Sequence, residues 1–129
     1  MLFLSLLAIN VAAQTVKSSN HNVLIYCKNN RIENSNHNTI GYFNVNCVEN
    51  ANHNVIGYLK NNTIENSNHH VVGYISAKGI IKDSNNNIVY SLSLNGAIKD
   101  SNYNTMGYAV GINKGQVAAI ILLFKITIK

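Results

Sequence analysis

Apolar and polar positions alternate in short stretches that stop and resume at regular intervals. The clearest stretch is Asn54-Val55-Ile56-Gly57-Tyr58-Leu59, β-branched and aromatic, broken by Asn61-Asn62 and resumed as Thr63-Ile64-Glu65-Asn66. Two short strands around a two-residue Asn-Asn turn predict a β-hairpin, because Asn tolerates the positive φ that a type I′ turn needs at both positions. Pairing Lys60 with Thr63 sets Leu59 opposite Ile64 and Gly57 opposite Asn66. Strand alternation then places Val55, Gly57, Leu59, Ile64 and Asn66 on one face, the expected core. Ile56, Tyr58, Lys60, Thr63 and Glu65 fall on the other, an amphipathic outer face.

This unit recurs. The corner Ser-Asn-His-Asn, or a close variant, begins at Ser19, Ser35, Ala51, Ser67, Ser84 and Ser101, with spacings of 16, 16, 16, 17 and 17 residues. A fixed short period makes one supersecondary unit the building block of the fold. The longer units carry Ala77-Lys78-Gly79 and Leu94-Asn95-Gly96 where the others have two turn residues. A three-residue loop ending in a left-handed Gly absorbs the insertion, keeps Ile75 opposite Ile81 and Leu92 opposite Ile98, and predicts positive φ at Gly79 and Gly96. That survival of register favours antiparallel hairpins over the alternative, a β-solenoid. The inward position of each second strand is aliphatic: Val16, Ile32, Val48, Ile64, Ile81 and Ile98. Because Thr15-Val16-Lys17-Ser18 matches a second strand alone and Asn104 to Ala109 a first strand alone, pairing of the terminal strands is expected to close a ring around five full hairpins.

The 129 residues divide into three parts. Residues 1–13 form an uncharged Leu/Phe/Ala run ending Val11-Ala12-Ala13, a small-x-small pattern that reads as a signal peptide cleaved before Gln14; a buried N-terminal strand is the alternative. Residues 14–113 are the repeat domain. Residues 114–129 are an apolar tail whose run Val117 to Phe124 is far below the roughly 20 residues of a membrane helix. Left exposed, such a run is an adhesive patch. It is expected either to plug the axis of the ring, with Lys125 and Lys129 emerging at the far side, or to drive oligomerisation or membrane attachment. Cys27 takes an inward slot and Cys47 an outward one, so a disulfide between them is not expected, although export favours disulfides.

These features resemble the 5-fold β-flower proteins, small exported bacterial proteins of repeats like Ser-Asn-x-x-Ile-Gly-Tyr-Ile. The likeness covers the leader, the repeats, and Gly107-Tyr108-Ala109-Val110-Gly111-Ile112-Asn113-Lys114 running into an Ala-rich apolar end. Tyr90-Ser91 departs from it by replacing Gly-Tyr in the fifth unit, and the tail ends in Ile and Leu rather than an aromatic run. The resemblance implies an all-β fold, a closed five-fold flower-like meander, and supplies no activity and no functional residues.

Net charge is +5. The surplus over the repeats comes from Lys17, Lys114, Lys125 and Lys129 near the chain ends, a scattered excess that argues against nucleic-acid binding. His21, His37, His53 and His69, with His70 beside the last, recur at the corners and are weak metal candidates, because no acidic or thiol partner accompanies them in sequence. The corner amides (Asn20, Asn22, Asn36, Asn38, Asn52, Asn54, Asn68, Asn85, Asn87, Asn102 and Asn104) are expected to hydrogen-bond local backbone. The acids Glu33, Glu49 and Glu65 share their position with Lys17, Lys82 and Lys99, which reads as a solvated face and argues against an enzyme. The sequence therefore points to a non-enzymatic exported β-repeat protein with a structural or interaction role at the bacterial envelope, whether periplasmic, outer-membrane associated or secreted. No cofactor is indicated. The alternative is a carbohydrate-binding module in which Tyr42, Tyr58 and Tyr74 stack on a sugar and Asn52, Asn54 and Asn68 bind its hydroxyls. Envelope protein, cell-surface glycan and a second copy through the tail are the partners these readings admit.

Overall fold

The computed structural model describes residues 14–129, so the signal-peptide reading of residues 1–13 lies outside the described residues. Strands follow in chain order: β1 (Gln14–Ser18), β2 (Val23–Lys28), β3 (Arg31–Asn34), β4 (Thr39–Asn44), β5 (Cys47–Asn50), β6 (Val55–Lys60), β7 (Thr63–Asn66), β8 (Val71–Ile75), β9 (Ile80–Asp83), β10 (Ile88–Leu92), β11 (Ala97–Lys99) and β12 (Thr105–Val110). Among the described residues one helix, α1 (Lys114–Phe124), comes last. Each strand pairs antiparallel with its sequence neighbours and β1 also pairs with β12, giving a closed meander barrel rather than a solenoid.

The hairpin register is the one the sequence dictates. Lys60 pairs with Thr63, Leu59 with Ile64 and Gly57 with Asn66. The longer loops hold Ile75 against Ile81 and Leu92 against Ile98, with φ of 89° at Gly79 and 90° at Gly96. Closure reproduces the same hairpin without a turn: Ala109 pairs with Val16 and Gly107 with Ser18, as Leu59 and Gly57 pair within the third unit. Val16, Ile32, Val48, Ile64, Ile81 and Ile98 form an inner ring, each at most 1 % exposed.

Between units the simple alternation fails. Val48 pairs with Gly57 but Glu49 with Val55, so Ile56 is an extra residue in a β-bulge. The same shift leaves Leu24, Ile40, Val72, Val89 and Met106 unpaired at the equivalent places. All of these pack partly buried against the core. The face assignment at this one step is therefore corrected: Val55 lies outside, opposite Glu49, and Ile56 leans inward, because a bulge puts two residues against one and re-aims the side chains before it. The turn expectation is corrected. Asn29 and Asn30 both take positive φ, 53° and 65°, as a type I′ turn needs, but the second and third hairpins do so at their first turn residue alone, Val45 at 57° and Asn61 at 55°.

The helix runs into the barrel. Asn113 caps it, its side chain accepting the Gln116 N–H at 2.8 Å, and Lys125 at φ 55° ends it, with the Ile126 N–H returning to the Ile121 carbonyl at 3.2 Å. Its run from Val117 is apolar all round, as a helix enclosed on every side must be, and Val117, Ala118, Ala119, Ile120 and Ile121 are buried. The repeated Gly makes room for it. A Cβ at Gly41 would lie 2.5 Å from Phe124, at Gly57 2.6 Å from Leu123, at Gly73 2.5 Å from Leu122 and at Gly107 2.7 Å from Ile128. In the fifth unit the position is Tyr90, whose buried hydroxyl accepts the Ile128 N–H at 3.0 Å, and this accounts for the Tyr90-Ser91 departure. Lys125 and Lys129 are exposed beyond the helix. Among the described residues no helix is long and apolar enough to cross a membrane.

Candidate functional site

Each corner is held by the residue just before it. The side chains of Asn34, Asn50, Asn66, Asp83 and Asp100 each accept the backbone N–H groups two and four positions on, at 2.9 to 3.0 Å. These are Asx turns. The expectation that the corner amides supply them is corrected: Asn36, Asn38, Asn52, Asn54 and Asn68 engage through their backbone N–H, and only Asn87 and Asn104 add side-chain bonds, to Asp83 and Asp100 at 3.3 and 3.4 Å. The third corner residue must then turn left-handed. His21, His37, His53 and His69 take φ of 65° to 67°, as do Asn86 at 68° and Tyr103 at 65°, a conformation His and Asn tolerate better than most residues.

That turn folds the imidazole back over the wall. His37, His53 and His69 place Nδ1 at 3.0, 2.9 and 2.9 Å from Glu33, Glu49 and Glu65. Each ring also stacks on a tyrosine of the preceding hairpin: Tyr26 with His37 and Tyr42 with His53 at 4.1 Å, Tyr58 with His69 at 4.2 Å. At the seam His21 stacks on Tyr108 at 4.8 Å, and Lys17 stands where these three units have Glu, as do Lys82 and Lys99 in the later units. The outer wall thus carries a ladder of Glu–His–Tyr units. Two expectations are overturned here. The histidines do have acidic partners, and the acid position is no solvated face, since Glu33 and Glu49 are buried at 7 % and 9 % exposure.

Hydrogen bonding sets the charge of these carboxyls. The His37 bond, followed by Arg31 at 2.8 Å, holds Glu33 below the usual carboxylate range. His53 and then Asn44 at 3.2 Å do so for Glu49, and His69 and then Lys60 for Glu65. Backbone N–H groups of Asn87 and Asn104 lower Asp83 and Asp100 likewise. A carboxylate at Nδ1 makes that nitrogen the N–H donor and leaves Nε2 facing out. Among the described residues, however, no three His, Cys, Asp or Glu converge to hold a metal, and His70 is an exposed corner residue whose N–H serves Asn66.

The glycan candidates are dispersed differently from their sequence reading. Tyr42 and Tyr58 have one ring face against His53 and His69, whereas Tyr74 is 39 % exposed. Asn52, Asn54 and Asn68 sit exposed at the corners, away from the turn end of the hairpins. Cys27 is buried, which pushes its thiol up to about 11, while Cys47 lies on the wall 4.0 Å from Glu49; both are free thiols. Of the surplus cations Lys114 lies on the rim formed by the hairpin turns, where Lys28, Arg31, Lys60 and Lys78 also stand exposed, whereas Lys125 and Lys129 are exposed past the other end of α1.

No curated protein and no solved structure matches the chain. The family model described as 5-fold beta-flower protein matches residues 11–125, the span that contains the hairpin ring, its glycine column and the axial helix. The chain belongs to the 5-fold beta-flower protein family.

Proposed function

We propose that this protein is a non-enzymatic interaction module, exported to the bacterial envelope, that presents chemistry on its outside. The observation that carries this reading is the axial helix: it occupies the lumen with Val117 to Ile121 buried, so recognition falls to the wall and the rims. Closure of the sheet leaves every strand paired on both sides, and partners are therefore met by side chains rather than by strand addition. The Glu–His–Tyr units suit that role because hydrogen bonding and stacking hold each ring in place before contact, which lowers the entropic cost of binding. Their repetition around one wall lets weak contacts add.

Export is tested by expressing the full chain in a bacterium, fractionating the cells and sequencing the N-terminus of the recovered protein. The expected product begins at Gln14 and lies outside the cytoplasm. An intact chain confined to the cytosol overturns the envelope assignment.

A further inference from the structure

The turn rim joins two features, cations without carboxylates and apolar tips; the corner rim also exposes Ile88 and Tyr103, but there the carboxylates Asp83 and Asp100 stand beside them. The tips of the turn rim, residues 28–31, 44–47, 60–63, 76–80, 92–97 and 110–114, contain Lys28, Arg31, Lys60, Lys78 and Lys114 and no carboxylate. Arg31 and Lys60 reach up the wall to Glu33 at 2.8 Å and Glu65 at 3.4 Å, and Lys114 donates to the Ala77 carbonyl at 2.9 Å. Lys28 and Lys78 make no such ion pair among the described residues. The carboxylates Asp83 and Asp100 lie at the opposite rim, where they hold the corners.

The same tips project apolar side chains into solvent. Val45 is 93 % exposed, Leu94 fully exposed and Val110 40 % exposed. Val45 and Leu94 occupy turn positions that other units fill with Asn29, Asn61 or Ala77. Val45 does so at φ 57°, a conformation that costs a β-branched residue stability and gives no buried contact in return. Beside Leu94 a surface cleft opens between the β10–β11 turn and the link into α1, lined by Leu92, Val110, Ile112 and Lys114 among others. Apolar tips within a ring of cations match a surface that is anionic at its face and apolar beneath.

We propose that the turn rim docks on an anionic phospholipid bilayer, with Val45, Leu94 and Val110 entering the headgroup and acyl boundary and the rim cations meeting lipid phosphates. This names the partner for the envelope reading and rests on that reading for its place in the cell. The docked barrel stands on its rim, leaving the Glu–His–Tyr wall and the corners free. A nucleic acid would satisfy the cations alone; the projecting Val and Leu favour lipid.

The test is co-sedimentation of the full chain with vesicles of equimolar phosphatidylglycerol and phosphatidylcholine, and with phosphatidylcholine alone. All variants share residues 1–13, so differences between them belong to the rim. Binding is expected on the anionic vesicles and not on the neutral ones. Lys28→Gln with Lys78→Gln should weaken it on the order of 10-fold or more, since each surface lysine is worth about fivefold. Val45→Asn with Leu94→Asn should weaken it on the order of 10-fold while leaving the fold intact, as judged by thermal melting. Equal binding to both vesicle types, or affinity unchanged in both variants, overturns the proposal, as does binding to duplex DNA in place of lipid. A chain that is not exported but binds these vesicles sinks the envelope reading and leaves the docking surface standing.

Discussion

At Val45 the chain holds a β-branched residue at φ 57° where neighbouring hairpins place Asn29 and Asn61. The left-handed region costs an L-residue roughly 1–2 kcal/mol, and Asn recovers part of that through local hydrogen bonding. Val45→Asn is therefore expected to stabilise the barrel by about 1 kcal/mol in denaturant unfolding; a loss of stability would show that the side chain makes contacts in the folded state after all. The carboxyls set the response to acid. Glu33, Glu49, Glu65, Asp83 and Asp100 all have lowered pKa values when folded. Groups depressed by folding contribute stability above their unfolded pKa and lose it as pH falls through the folded value. Unfolding midpoints should thus hold steady above pH 4.5, the ordinary Glu value, and drop below it. The Glu33→Gln, Glu49→Gln, Glu65→Gln variant should show a shallower drop, and an unchanged acid profile would mean that the His bonds add nothing to stability.

At the scale of the strand and the turn, the glycines carry the strain and the space. Gly79 and Gly96 sit at φ 89° and 90°, and a side chain there would also press on the carbonyl of Leu92 or Ala109. Gly79→Val and Gly96→Val are each expected to cost at least 1–2 kcal/mol in chemical denaturation, more than an ordinary loop substitution; melting unchanged in both would refute the bulged loops. Hairpin register was legible in the sequence because a period of two and a fixed turn leave one pairing that buries Leu59 with Ile64, and because the inserted residue in Ala77-Lys78-Gly79 is absorbed in the loop. The bulge at Ile56 was not legible. Val55 and Ile56 are both apolar and β-branched, so their order carries no signal about which one faces in; the neighbouring unit decides it by pairing Glu49 with Val55. The Glu–His bonds were hidden for a related reason. They cross a corner whose left-handed third residue aims the imidazole backwards, and Lys at the equivalent position of other units made the acid look like surface. Alternation along one strand cannot report a contact made across a turn.

At the scale of the whole molecule, the wall and the helix depend on each other. Most units place Gly where a larger side chain would meet the axis, and Leu122, Leu123, Phe124 and Ile128 fill the space above Gly73, Gly57, Gly41 and Gly107. Without the helix, that column becomes a cavity lined by Ile and Val. Closure alone cannot compensate, since hairpins gain most of their stability from the apolar face they bury. Removing residues 114–129 should therefore leave a chain that pairs its strands weakly, binds ANS and melts without a sharp transition. A milder cut separates packing from chain connectivity: Leu123→Ala is expected to cost about 2–5 kcal/mol through the cavity left over Gly57. Gly57→Ala should destabilise as well, by about 1–3 kcal/mol through overpacking. If Leu123 and Gly57 act through one contact, the two changes together should cost less than their sum, because the methyl added to the wall enters space the helix has vacated. The added methyl also lies 2.5 Å from the Glu65 carbonyl, which Leu123→Ala does not relieve, so the shared part is the Leu123 clash alone; a double variant costing more than the sum would refute that contact, and a truncated chain as stable as the full one would show that the barrel holds itself.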